Sequence, residues 1–145
     1  MDLDRRAFIR KSCLACASIA GIGVLSTLVQ SCSPLVALKV TPEQGFIQVP
    51  LSHFTETNKL VLLKNYEALD FDIAVVQLEG NKYKAFQMQC THVANNPLVA
   101  TKNGFFCNTH GSAFGFDGQV VKSPAKRSLK EYQLEVTSEI IKIKL

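Results

Sequence analysis

Apolar residues in this chain come in short runs separated by polar turns, a spacing that points to strands rather than helices. The pattern predicts strands over Phe46 to Val49, Leu60 to Leu63, Ile73 to Leu78 and Tyr83 to Cys90. Further strands are predicted at Phe105-Phe106, Phe114 to Val121, Tyr132 to Val136 and Ile140 to Leu145. In the penultimate strand Tyr132, Leu134 and Val136 alternate with Glu131, Gln133 and Glu135, so one face is expected to be buried and the other wet. Gly80-Asn81, Asn103-Gly104 and Asp117-Gly118 carry hairpin-turn chemistry between the runs. From Leu35 onward about 110 residues remain, enough for one domain with its own core. The expected class is all-β, with antiparallel strands and no helix.

The first thirty or so residues follow another pattern. Asp4-Arg5-Arg6-Ala7-Phe8-Ile9-Arg10-Lys11 precedes a largely apolar run from Leu14 to Val29. A basic start followed by an apolar middle describes a secretory signal. The adjacent arginines ahead of x-Phe-Ile resemble a twin-arginine signal, which exports proteins already folded. Leu28-Val29-Gln30-Ser31-Cys32 resembles a lipoprotein cleavage box, which makes Cys32 the lipidated first residue of the mature protein. An uncleaved anchor is the alternative; its apolar stretch is short against the roughly 20 residues a span needs. Residues 1–31 thus read as signal or anchor, 32–37 as a tether and 38–145 as the folded domain. Cys13 and Cys16 fall inside the apolar run and read as apolar filler.

The formal charge of +4 changes this picture little. From Cys32 on there are twelve Lys+Arg against ten Asp+Glu, too mild a surplus for a nucleic-acid partner. Lys122, Lys126, Arg127 and Lys130 do cluster in sequence. They read first as a solvated turn and second as a patch that steers an acidic redox partner.

The candidate chemistry lies in two loops, Cys90-Thr91-His92 and Cys107-Asn108-Thr109-His110, with fourteen residues between them. Each offers one thiol and one imidazole. A structural zinc site more often pairs like with like within a loop. A binuclear iron–sulfur cluster with thiolates on one iron and imidazoles on the other needs this one-plus-one division. In an extended segment Phe86, Met88, Cys90 and His92 would share one face. Cys107 and His110, three apart around Asn108-Thr109, suit a tight turn. His53 has no ligand neighbour in sequence and reads as a surface or turn residue. Phe105, Phe106, Phe114 and Phe116 bracket the second loop and read as strand core.

With Gly111-Ser112 following, the second loop reads C-N-T-H-G-S, and the chain from about Tyr83 to Pro124 resembles the Rieske family. That resemblance implies an antiparallel β base carrying a smaller cluster-binding subdomain, here about 88–124. It implies one [2Fe-2S] cluster per chain, with Cys90 and Cys107 on the inner iron and His92 and His110 on the outer. Ser112 matches a serine whose hydroxyl bonds a bridging sulfide in high-potential members, while Phe114 stands where those members carry a tyrosine. Asn95 and Thr109 occupy the places of two further cysteines that form a disulfide there. Ser123-Pro124-Ala125 resembles the proline loop that covers the cluster. One sulfur hydrogen bond kept and one lost, with no disulfide, imply a potential below that of quinol-oxidising members.

The implied function is one-electron transfer by an exported, membrane-tethered protein on the periplasmic side, working with a protein redox partner. Two alternatives stand beside it. One is a subunit of a larger oxidoreductase, either a quinol–cytochrome c reductase or an arsenite-oxidase type. The other is a zinc-binding or redox-inactive structural domain.

Overall fold

The computed structural model describes residues 35–64 and 67–145. The twin-arginine stretch, the Cys13/Cys16 pair and the lipidation reading of Cys32 lie outside the described residues. Within them the chain forms β1 (Val36–Lys39), β2 (Phe46–Pro50), β3 (Leu60–Lys64), β4 (Ile73–Leu78) and β5 (Lys82–Gln87). There follow β6 (Val99–Thr101), β7 (Gly104–Phe106), β8 (Ala113–Phe114), β9 (Val120–Lys122), β10 (Glu131–Val136) and β11 (Ile140–Lys144). Two one-turn 3-10 segments, Leu51–His53 and Glu79–Asn81, are the remaining regular structure among the described residues. None of the described helices is long and apolar enough to cross a membrane.

The strands make a seven-stranded sheet in the order β1-β3-β4-β5-β10-β11-β2 and a four-stranded sheet β6-β7-β8-β9. Pairing is antiparallel except for β1, which runs parallel to β3. The small sheet is a chain insertion between β5 and β10, so whatever it carries is held by both ends on the large one.

The large sheet curls over itself. Ile47 and Val49 of β2 and Ile141 and Ile143 of β11 share a core with Val61, Leu63, Ile73 and Val75 of β3 and β4. The bend falls at β10, which pairs with β5 through Glu131 and Tyr132 and with β11 through Gln133 to Val136. On the opposite face of β3 to β5, Leu60, Leu62, Ala74, Val76 and Phe86 pack with Met88, Leu98, Phe105, Phe114 and both loop cysteines. Burial on both faces explains why β3 and β4 read as unbroken apolar runs. Each large side chain so buried contributes about 1.5 to 3 kcal/mol.

Three expectations need correction. The predicted strand from Tyr83 to Cys90 leaves the ladder at Gln87. Beyond it the Met88 and Cys90 N–H groups donate to Asp72 and Asn96 carbonyls at 2.8 and 2.9 Å, so the chain departs the base to build the first loop. The predicted strand from Phe114 to Val121 is two strands, because the turn chemistry of Asp117-Gly118 wins over its apolar flanks. A Cβ on Gly118 would overlap the Phe86 ring, so the turn sits directly on the core. In β10 Tyr132 and Leu134 are half-buried as expected, but Val136 is 48% exposed, beyond the reach of the core at the strand's end. Two strands that the patterning did not predict, β1 and β6, complete the sheets.

Candidate metal centre

The first loop descends from β5. The two-residue alternation of the strand persists past its last ladder bond: Phe86, Met88 and Cys90 are buried while Gln87 and Gln89 are half-buried. Cys90 is 3% exposed. His92, two residues on, emerges at the surface. The second loop is the tip of the β7–β8 hairpin. Phe106 faces Ala113 across the ladder, and the Cys107 N–H donates to the Ser112 carbonyl at 2.9 Å. The Gly111 N–H closes the turn onto the Cys107 carbonyl at 3.0 Å. Cys107 therefore sits at the buried root of the hairpin, fully shielded, and His110 on its exposed tip.

Folding brings the predicted donors into two like pairs. The Cys90 and Cys107 thiols are both buried and free, and they lie near enough across the loops for Cys90 to help lower the Cys107 pKa. The His92 and His110 rings meet edge to face, 5.0 Å apart at 89°. Among the described residues no three His, Cys, Asp or Glu side chains gather around one metal-ion position. Two like pairs, sulfur beneath and nitrogen above, suit a binuclear cluster with chemically different ends.

The electrostatics of the sulfur end suit a metal-binding thiolate. Burial alone would raise the Cys107 thiol pKa. Hydrogen bonds from the Thr109 backbone, the Cys90 side chain, the His110 backbone and the Thr109 side chain outweigh it, and the net shift is downward. Donors aimed at a buried sulfur favour its anionic, metal-ligating form.

Three polar contacts lock the surroundings. The Ala125 N–H donates to the Ser112 hydroxyl oxygen at 3.0 Å, tying the hairpin to the segment after Pro124. Ser112 is fully buried and keeps its own proton to donate. The Thr91 hydroxyl donates to the Arg127 carbonyl at 2.6 Å, fixing the first loop to that same segment. The Thr109 hydroxyl lies 3.1 Å from the Asn96 side-chain oxygen and bridges the two ligand loops. Asn96 was not singled out from the sequence, and Thr91 and Ala125 were named there only as members of their loops, with no partner. Their partners lie 13, 36 and 13 residues away, so no local signal marks them.

The Thr109–Asn96 contact joins the loops non-covalently, one residue along from the Asn95–Thr109 pair that the resemblance implies for a disulfide. Replacing Thr109 by Val keeps the volume and removes this bond, worth about 1 kcal/mol, together with the Thr109 side-chain influence on Cys107. Thr109→Val is expected to speed cluster loss into a chelator about fivefold, read by bleaching, with unchanged far-ultraviolet circular dichroism. An unaltered bleaching rate would show that the contact bears no strain between the loops.

Phe105 and Phe114 are core residues, and Phe116 packs its ring edge-on to Phe105 at 5.7 Å. Phe114 has no hydroxyl to offer a sulfur. His53 is half-buried at the end of a 3-10 turn whose carbonyl accepts from Asn58, in keeping with a turn role.

Comparison with known proteins converges on one family. The family model for the Rieske [2Fe-2S] domain matches residues 50–133. The cytochrome b6-f complex iron-sulfur subunit of Chlorobaculum thiosulfatiphilum is 23% identical over 144 residues, covering 97% of this chain and 75% of that protein. The plasma membrane Rieske protein PetC3 from Synechocystis PCC 6803 superposes with a TM-score of 0.50 and 26% identity, over 60% of this chain and 87% of that one. A chain from the complex of reduced oxygenase and oxidized ferredoxin in carbazole 1,9a-dioxygenase shares the fold at a TM-score of 0.50 and 21% identity, over 70% and 94%. A curled β base, an inserted four-stranded sheet and donors sorted into a buried sulfur pair and an exposed imidazole pair thus have one explanation: the chain belongs to the Rieske [2Fe-2S] domain family.

Proposed function

We propose that this protein is a one-electron carrier, exported and held at a membrane, in which Cys90 and Cys107 ligate the inner iron and His92 and His110 the outer. The reading is carried by the sorting of the donors, with thiols buried and imidazole rings side by side at the surface. When bound, a [2Fe-2S] cluster with two neutral ligands accepts and returns a single electron at about −150 to +300 mV. The chain's own residues set the conditions. The core beneath Cys90 and Cys107 excludes water from the sulfur side, and the exposed edges of His92 and His110 give electrons a route to a partner. The subdomain that does this runs from about 88 to 124, on a base that starts a short tether after the leader.

Visible absorption, acid-labile sulfide and an electron paramagnetic resonance signal on reduction test the reading together. Two irons and two sulfides per chain are expected. A colourless protein with one stoichiometric zinc would replace it with a structural domain. Export is tested separately, by mass spectrometry of the mature amino terminus; an intact Met1 would end the lipoprotein assignment of Cys32.

Ser112 offers a graded test. Ser112→Ala strands the buried Ala125 N–H, at a cost of about 1 to 3 kcal/mol. It also deletes the hydroxyl proton that the family resemblance assigns to a bridging sulfide, where it would favour the more negative, reduced state. The midpoint potential is expected to fall, by about 60 mV for every 1.4 kcal/mol of that preference. Voltammetry giving an unchanged midpoint would leave Ser112 a purely structural role.

A second reading, a subunit of a larger oxidoreductase, draws support from the near full-length likeness to an iron-sulfur subunit of a cytochrome complex. Phe114 and the absent disulfide weigh against a quinol-oxidising version of it. Co-purification of a stoichiometric integral-membrane partner would favour the subunit over the free carrier.

A further inference from the structure

The mild net charge conceals a segregation. Between Met88 and Lys130 there are five basic residues, Lys102, Lys122, Lys126, Arg127 and Lys130, and a single acid, Asp117. The rest of the described chain carries nine acids against seven bases. Base-sheet lysines find acids: Lys64 pairs with Asp72 at 3.3 Å and Lys84 with Glu131 at 3.0 Å. Lys122, Lys126 and Arg127 are exposed and have no ion-pair partner among the described residues. Lys130 rests over the Tyr132 ring at 5.1 Å and is partly occupied there.

Position gives the three cations meaning. The segment that carries them is the one bound to both ligand loops, through Thr91 to the Arg127 carbonyl and through the Ala125 N–H to Ser112. The Lys122 ammonium group lies 3.9 Å from where a Cβ on Gly111 would stand, directly beyond His110. The Lys122 charge therefore stands at the hairpin tip next to His110, and exposed Lys126 and Arg127 follow on the segment bonded to both loops. Val93, next to His92, is 43% exposed and adds a small apolar contact. Exposed cations without partners beside a small contact surface suit a transient encounter steered by long-range attraction.

We infer that this tip docks onto an acidic face of a protein redox partner, with Lys122, Lys126 and Arg127 guiding the encounter. The inference rests on the carrier reading above and adds the partner's chemistry to it. An anionic lipid surface fits less well. Lipid-reading patches gather about four to eight basic residues, and docking on lipid would bury the imidazole edges that electrons must cross.

The test uses the full-length, detergent-solubilised protein, reduced and mixed with an oxidised acidic or an oxidised basic c-type cytochrome. One electron leaves the protein and one ferric haem becomes ferrous, with no atom transferred. The rate constant for the acidic cytochrome is expected to fall about tenfold or more as ionic strength rises from about 10 to about 500 mM, while that for the basic one holds or rises. The triple variant Lys122→Glu, Lys126→Glu, Arg127→Glu, compared at its own measured midpoint potential, should exchange these two behaviours. A salt-independent rate with the acidic cytochrome would overturn the inference without any variant. So would a triple variant that loses binding to phosphatidylglycerol vesicles while keeping its rate with the acidic cytochrome. If neither cytochrome is reduced at any ionic strength, the carrier reading itself falls and the inference goes with it.

Discussion

Cys107→Ala is expected to yield a protein that keeps its β structure and binds no iron. The residue is fully buried at the root of the β7–β8 hairpin, yet its sulfur is a small part of a core that includes Phe86, Phe105, Phe114 and Met88. Removing it leaves a cavity of roughly one atom, which costs about 1 kcal/mol by the usual cavity relation. A domain stable by about 5 to 15 kcal/mol survives that. Its loss as the proposed inner-iron ligand is another matter. Cys90 would remain the single thiol at the sulfur end, and the backbone and side-chain donors now aimed at Cys107 would face a methyl group. Iron and sulfide analysis should read near zero while circular dichroism stays native. A variant that retains a full complement of iron would show that the cysteine pair is not the inner ligand set.

The second large effect belongs to a residue with no side chain at all. Gly104 opens β7, with φ at +133°, and any Cβ there would overlap the carbonyl oxygen of Phe114. The obstacle is backbone, so no rotamer change relieves it; β8 would have to move away from β7. That displacement separates Phe105 from Phe114 and opens the hairpin whose tip holds Cys107 and His110. Gly104→Ala should therefore cost about 3 kcal/mol or more, from disfavoured backbone and broken packing together. Denaturant unfolding measures it. Iron incorporation should drop in the same variant, whereas an alanine at exposed Asn103, one residue earlier, should change neither.

These two residues differ in how visible they were. Cys107 stands in a motif whose chemistry is written in residue types, and with Cys90, His92, His110 and Ser112 it was legible before any folding was considered. Gly104 was legible only as half of a turn dipeptide; its close approach to Phe114 joins residues ten apart across a ladder. The strands follow the same division. β3, β4 and β11 were readable because each is apolar enough to announce itself. β1 and β6 were not: Val36–Lys39 presents alternate exposed residues and is held by parallel pairing with β3, and Val99–Thr101 is three residues supported by β7. Short strands take their identity from a neighbour, and the neighbour is a tertiary fact. The merged strand from Phe114 to Val121 failed for a local reason instead: the Asp117-Gly118 turn was legible, but its apolar flanks were read straight through it, and the Phe86 ring packs against that turn.

What the sequence determined by itself was the donor inventory, the spacing that puts a thiol two or three residues from an imidazole, and the all-β class. Those depend on covalent distance and on side-chain period, which any local stretch of chain carries with it. What only the tertiary structure decided was the sorting. Each loop holds one cysteine and one histidine, and nothing local says whether they gather as mixed or matched pairs. The base sheet fixes the depth at which both loops arrive, so the two sulfurs meet in the core and the two rings meet in water. Threonine, asparagine and serine contacts across the loops then hold that depth, because hydrogen-bond partners far apart in sequence are chosen by the fold alone.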